Sequence, residues 1–261
     1  MYAMRESVGV DEGSDVRITN VNTVFYCIKE NVYYFYNMSD INTYVTIPFA
    51  CSFFVYWSIS GYYFLRDYYG DLSQRIDTNI DWMLYKKTFY HVLYLQFCFS
   101  LPIMYMLIPV WKWRNNTILF ESIEYIDIIK LGVNGLLGES IFYYMHYWSH
   151  FILYSKIHKV HHEWTNTCAL AAAYAHPVEF MLVNLPSFLI PPIITGSNWF
   201  ITNLWFMIAT TSVVIDHSGY KNIHYSEFHW KHHKSSNANY GTNTIGDIVL
   251  LLYQKITSYT N

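Results

Sequence analysis

Eleven of the chain's twelve histidines lie between residues 146 and 233, and eight of those stand in three short patterns. His146 and His150 form HxxxH; His158, His161 and His162 form HxxHH; His229, His232 and His233 repeat HxxHH. On a helix, side chains at i and i+4 stack on one face, and i+3 joins them. HxxxH therefore aims two imidazoles at one point. HxxHH aims at least two, and its third ring can reach a neighbouring metal. Eight converging imidazoles exceed what one tetrahedral zinc takes and suit two metals sharing a cluster. Unliganded, each buried ring would need a hydrogen-bond partner, a cost that a metal removes. Neutral imidazole accepts iron, copper, zinc or nickel, so ligand type alone does not choose among them. His91, inside an apolar run, reads as a packed or interfacial side chain.

The elements that must position these boxes are apolar. Charged residues make up only 13% of the 261 and hydrophobic ones 53%, against about 25% charged in an ordinary soluble domain. Residues 41–65 and 88–111 carry no charge and are long enough to cross a bilayer as helices. Residues 180–215 form a third such run of 36, too long for one span. Pro191-Pro192 and Gly196-Ser197-Asn198 are expected to break it into a hairpin of 178–195 and 198–216. That excursion returns the third box beside the second. The 26 tyrosines and 9 tryptophans suit membrane–water interfaces, although a general compositional bias would also raise tyrosine.

The predicted class is an all-α integral membrane protein, with about four transmembrane helices in two hairpins and a cytosolic helical cap holding a histidine-rich dimetal site. Its predicted parts are a leader over 1–40, a first membrane hairpin and connector over 41–134, the histidine domain over 135–245 and a tail over 246–261. The 66–88 loop holds four of the sixteen Lys and Arg, and the segments assigned to the opposite face hold twelve. The positive-inside rule then places 112–178, 217–261 and the N-terminus in the cytosol, leaving the sequons at Asn37 and Asn115 unglycosylated. No secretory signal, internal repeat or CxxC pair is seen, and the net charge of −3 gives no pointer to nucleic acid.

At the histidine boxes the chain resembles the fatty acid hydroxylase and sterol desaturase superfamily. The stretch FYYMHYWSHFILYSKIHKVHHEW over 142–164 is similar to its first two boxes. YAHPVE (174–179), DHSGY (216–220), EFHWKHH (227–233) and NYG (239–241) resemble later segments. Within the superfamily, the likeness is strongest to the C4-methylsterol oxidase branch and to fatty acid hydroxylase domain-containing proteins. The resemblance implies His146, His150, His158, His161, His162, His217, His229, His232 and His233 as metal ligands. It leaves His176 open between a ligand and a supporting or helix-start role. It implies two non-haem irons, O₂, electrons from NAD(P)H through cytochrome b5 and its reductase, and an endoplasmic reticulum membrane. Zinc could replace iron on purification. Two departures stand out. Lys221 occupies a position where some relatives have a histidine, with His224 close enough to substitute. The sequence after NYG is divergent.

An unactivated C–H bond needs a redox metal with open positions. The function expected is therefore lipid hydroxylation, on a sterol C4-methyl or an acyl chain. The alternatives are a desaturase of the same superfamily and a non-catalytic, sterol-binding regulator. With neither an HPGG haem motif nor a GxGxxG fingerprint in these residues, electrons are expected from another protein. Glu139, Glu163, Asp216 and Glu227 are candidates to orient imidazole N–H groups, or to cap helices. Tyr143, Tyr147, Trp148, Trp164 and Phe228 could line the substrate entrance or simply pack there.

Overall fold

The computed structural model describes residues 40–114, 123–223, 225–236 and 239–242. The leader up to residue 39, both sequons, His224 and the tail beyond 242 lie outside the described residues. Those described are helical, apart from turns and one isolated bridge between Arg75 and Tyr220. The helices are α1 (Ile47–Tyr69), α2 (Trp82–Met106), α3 (Ile108–Arg114), α4 (Tyr125–Trp148), α5 (Pro177–Thr195), α6 (Trp199–Asp216) and α7 (Ser226–Ser235). Of these, α2, α5 and α6 are long and apolar enough to cross a membrane. α1 is not among them, because Tyr, Ser and Trp dilute the apolar content of its charge-free run. Pro177 opens α5, where a missing N–H costs nothing; Pro48, Pro102 and Pro186 each follow a π-helical turn, at Asn42–Thr46, Gln96–Ser100 and Phe180–Asn184.

The α5–α6 hairpin forms as expected, but Pro191 and Pro192 do not break it: α5 runs through them to Thr195. Each proline strips a carbonyl four residues earlier of its helical donor. The carbonyl opposite Pro192 is that of Phe188, and the Trp205 indole donates to it at 2.9 Å. The turn comes instead at Gly196, which is left-handed at φ 60°. Asn198 then caps α6 by accepting from the Ile201 N–H.

Hydrogen bonds register the helix ends. The start of α1 lies at this turn, where the Trp199 indole donates to Thr43 O. So does the end of α3, with Arg114 donating to the carbonyls of Ile193 and Ile194. α4 also starts there: Lys130 reaches Gly196 O, and the Asn134 amide bonds Ser197 and Thr195. α4 then runs antiparallel to α5, with Gly138 so close to the Trp205 ring and Ser187 O that a Cβ would meet the ring at 2.6 Å. The opposite end of the bundle carries the histidines.

This arrangement corrects the topology read from charge. Residues 112–178 do not lie on one side, because α4 crosses from the hairpin-turn end to the histidine end. The 66–88 loop is not opposite the histidines. Arg75 bonds Ser218 O and Thr167 O, Lys87 pairs with Glu163, and Trp164 donates to Thr88. The counting failed because it kept all of 112–178 on one face and so allowed no crossing by α4. A buried aromatic core under the histidine end joins Tyr56, Tyr63 and Tyr85 to Trp164, Tyr174 and Tyr220. A second core at the turn end holds Met104, Trp111, Leu189, Trp205 and Phe206.

Candidate metal centre

α4 carries His146 on its last turn and continues as a π-helical turn, Ser149–Leu153, bearing His150. The second box does not lie on an α-helix: His158–Glu163 is a 3₁₀ segment. The third is on α7, and His217 directly follows α6. Nine histidines gather into two groups. His146, His150, His158, His162 and His232 form one; His161, His217, His229 and His233 form the other. The two HxxHH boxes divide in opposite senses. The second sends its i, i+4 pair to the five-histidine group and its i+3 ring, His161, to the four-histidine group. The third sends His229 and His233 to the four-histidine group and His232 to the five. Each box therefore ties both groups together, which one-sided helical spacing alone does not specify.

The rings present Nε2 inwards. In the five-histidine group the Nε2 atoms of His146 and His232 are 3.1 Å apart, those of His232 and His150 3.1 Å, those of His150 and His158 2.9 Å, and those of His158 and His162 3.0 Å. In the four-histidine group His217 and His229 are 2.9 Å apart and His229 and His233 3.1 Å. The outer nitrogens fix the tautomers of four rings. The Nδ1–H of His146 donates to Tyr240 O at 2.6 Å, that of His161 to Tyr174 O at 2.9 Å, and that of His217 to Val213 O at 2.7 Å. That of His158 donates to Glu179 Oε1 at 2.7 Å. Their Nε2 atoms are then bare lone pairs, facing other Nε2 atoms that cannot donate to all of them.

A cation between them resolves this. Ligands about 2.1 Å from one ion and about 90° apart stand about 3 Å from each other, which is the spacing seen. The residues fit metal ions in both groups, and neutral imidazole is the ligand form required. Burial enforces that form. It lowers the pKa of His150 and His161 to about 4 and of His217 to about 3, with neighbouring imidazoles adding to the effect at His150 and His217. His158, His162, His229 and His233 are lowered for the same reasons, burial first.

The sign of the pH dependence follows. Above the ordinary value of 6.5 the rings are neutral in the folded and unfolded chain, and their contribution is fully present. As pH falls below 6.5 the unfolded chain takes up protons that the fold refuses, so stability drops by up to about 1.4 kcal/mol per pH unit per ring. The loss for His150 and His161 continues down to about pH 4. Protons also compete with metal. Detergent-solubilised protein titrated from pH 7.5 to 5 should release metal and then unfold steeply. An apparent melting temperature that does not change across that range would contradict the arrangement.

The fatty acid hydroxylase family profile matches residues 132–250. Fatty acid hydroxylase domain-containing protein 2 of Homo sapiens is 31% identical over 207 residues, covering 75% of this chain and 62% of that protein. Residues 132–250 are a fatty acid hydroxylase domain. Methylsterol monooxygenase 1-3 of Arabidopsis thaliana is 34% identical over 97 residues, 36% of this chain and 32% of that protein. A very-long-chain aldehyde decarbonylase of Oryza sativa subsp. indica is 28% identical over 136 residues, 50% of this chain and 48% of that protein. This chain spans less than two thirds of the length of these relatives. No solved structure matches it.

The hydroxylase domain holds both histidine groups, and this family with these clusters fits iron. The other candidates named from the sequence lie elsewhere. His176 caps the start of α5, its Nδ1 accepting from the Val178 N–H. His91 pairs with Ala175 O. Lys221 is exposed and its Nζ donates to Ser73 O, away from the histidines. Glu163 bonds Lys87 and the Tyr174 hydroxyl, and Glu227 accepts from the Asn222 N–H. Glu139 holds the Thr242 backbone and hydroxyl. It thereby steadies the strand of chain whose Tyr240 carbonyl orients His146.

Among the described residues an acid that touches a ligand is Glu179, bonded to His158, which the sequence reading did not single out. It is buried at 3% exposure. Its place directly before 36 charge-free residues did not mark it out, since Asp40 stands likewise before 41–65 and pairs with Lys112 at the surface.

A cavity runs from the histidines into the helix bundle. His146, His161, His217 and Glu179 close one end, and Phe49, Met104, Phe180, Leu189 and Phe206 line its depth. None of Tyr147, Trp148, Trp164 and Phe228 lines it. Trp164 is buried in the aromatic core, and Trp148 is exposed.

Proposed function

We propose that this protein is a membrane-bound, O₂-dependent di-iron oxygenase that hydroxylates a C–H bond of a lipid, a sterol C4-methyl or a fatty acyl chain. The observation that carries the reading is the cavity, which is lined mainly by apolar side chains and ends on imidazoles of both histidine groups. Iron ions held by the five and the four histidines would supply the O₂ activation that an unactivated C–H bond requires. The protein's own residues do the rest. Phe49, Phe180, Leu189 and Phe206 hold an apolar body and exclude water. Glu179 accepts the His158 Nδ1–H, fixing that ring and raising its basicity, as a carboxylate behind a metal-bound histidine does. Its partner oxygen Oε2 makes no hydrogen bond among the described residues.

Electrons would come from NAD(P)H through cytochrome b5 and its reductase. The membrane would be the endoplasmic reticulum, with the histidine end in the cytosol. Charge supports that orientation, because Arg66, Arg75, Lys87, Lys221, Lys231 and Lys234 share the histidine end, while Lys112, Arg114 and Lys130 mark the other. Lys221, directed away from the histidines, gives no support to an inactive, regulatory reading. The test is turnover under ¹⁸O₂ with reductase, cytochrome b5 and a membrane lipid extract. The expected product carries one labelled hydroxyl oxygen and needs both proteins. A double bond with no oxygen added would indicate a desaturase. No lipid change from an iron-loaded protein would refute catalysis.

A further inference from the structure

The histidine groups are closed from above. Eight of the nine rings are buried, with only His150 partly exposed, and the Tyr240 ring lies against His146, His150 and His232. An apolar substrate therefore needs a route from the side. A second groove lies between α4 and α6, walled by Gly132, Gly135 and Leu136 on one helix and by Ile208, Ala209 and Ser212 on the other. It shares Phe142, Ser187, Phe188 and Val213 with the cavity at the histidines, so the two spaces are separated by single side chains. Phe142 stands at the partition one helical turn before His146, with ring centroids 5.0 Å apart.

We propose that this groove is the lateral entrance through which the hydrocarbon body of a bilayer lipid passes to the cavity; this rests on the lipid-oxygenase reading. Three features fit that occupant. The rim is apolar and exposed, at Leu136, Tyr144 and Ile208. Such residues on helices beside the membrane-spanning hairpin face lipid rather than water. The one charged side chain in the groove, Glu139, sits at its histidine end and is engaged by Thr242. The floor is made by glycines with room before them: a Cβ at Gly132 or Gly135 meets no atom within 4 Å, whereas Gly138, one turn on, is packed against Trp205.

That room makes the groove testable, because a large side chain at Gly132 or Gly135 can fill it without displacing the backbone. The full-length, iron-loaded protein is placed in nanodiscs containing phosphatidylcholine with a diazirine on its acyl chain, or a diazirine cholesterol, and is irradiated. Adducts are mapped by peptide mass spectrometry. In the wild type they are expected on Leu136 and Ile208 in the groove and on the buried cavity residues Phe180 and Phe206. Whichever probe gives the cavity adducts identifies the class of lipid admitted. Gly135→Phe and Gly132→Phe should lose the cavity adducts while keeping wild-type iron content. Gly61→Phe on α1, where a Cβ also meets nothing within 4 Å, should keep them. Cavity adducts at the wild-type level in both groove variants overturn the entrance. Lipid oxidation is measured in the same nanodiscs. Oxidation with cavity labelling that ignores Gly135→Phe sinks the entrance alone; adducts that respond as expected without any oxidation sink the oxygenase reading alone.

Discussion

Replacing His161 by alanine is expected to empty the four-histidine group, lower bound metal by about one ion per chain and abolish lipid oxidation. His161 is the ring that the second box contributes to that group, and its Nδ1–H is held by Tyr174 O. Its loss cuts the tie between the second box and the segments carrying His217 and the third box. His232→Ala is the reciprocal case. It removes the ring that the third box lends to the five-histidine group, where it stands 3.1 Å from both His146 and His150. Each variant should also melt at a lower temperature than the metal-loaded parent, because ligands drawn from distant segments make binding part of folding. His91→Ala should leave metal content unchanged. Plasma emission spectrometry of protein in mild detergent gives the stoichiometry. An unaltered metal content in His161→Ala would remove that ring from the site, and a folded wild type that binds no metal when reconstituted would remove the site.

The second large effect is expected at Arg75, which makes no hydrogen bond to a histidine of the site among the described residues. Its guanidinium is buried and donates to Asp67 Oδ1 at 2.7 Å, Thr167 O at 2.8 Å, Ser218 O at 3.2 Å and, through Nε, Asp77 O at 3.0 Å. Asp67 also accepts from the Tyr220 hydroxyl at 2.9 Å. One side chain thus joins the end of α1, the following loop, the chain after the second box and the segment after His217. The approach is tight enough to demand glycine at 219, which is left-handed at φ 75° and where a Cβ would meet Thr167 O at 2.6 Å.

Arg75→Met strands the Asp67 carboxylate and several carbonyls in a dry site, and should cost about 3–5 kcal/mol. Asp67→Leu with Arg75→Met should recover part of that, because no charge is then left alone. Thermal unfolding in detergent, for the two single variants and the double, reads both values as a cycle. A change within about 0.5 kcal/mol for Arg75→Met would place the residue among ordinary surface positions.

What the sequence determined by itself was the set of clustered histidines and most of the long apolar helices. The nine histidines that converge are the eight that the spacing of the boxes marked and His217, which the family resemblance at HSGY supplied. The α5–α6 hairpin was legible too, because an uninterrupted apolar run longer than a bilayer must turn somewhere.

The tertiary structure decided which ring serves which group. His161 and His232 cross over because their boxes approach from opposite sides, and no spacing within one box records that. It also decided that Pro191 and Pro192 stay inside a helix, since the donor replacing the lost N–H at Phe188 is Trp205, on the next helix. Glu179 rather than Glu139, Glu163 or Glu227 supports a ligand because burial beside His158 is a matter of packing. The side on which the 66–88 loop lies followed the same way. Counting charges assigns sides only when the number of crossings is known, and α4, interrupted by Asp127, Lys130 and Glu139, is not a charge-free run that counts as a crossing until its partners along α5 are seen.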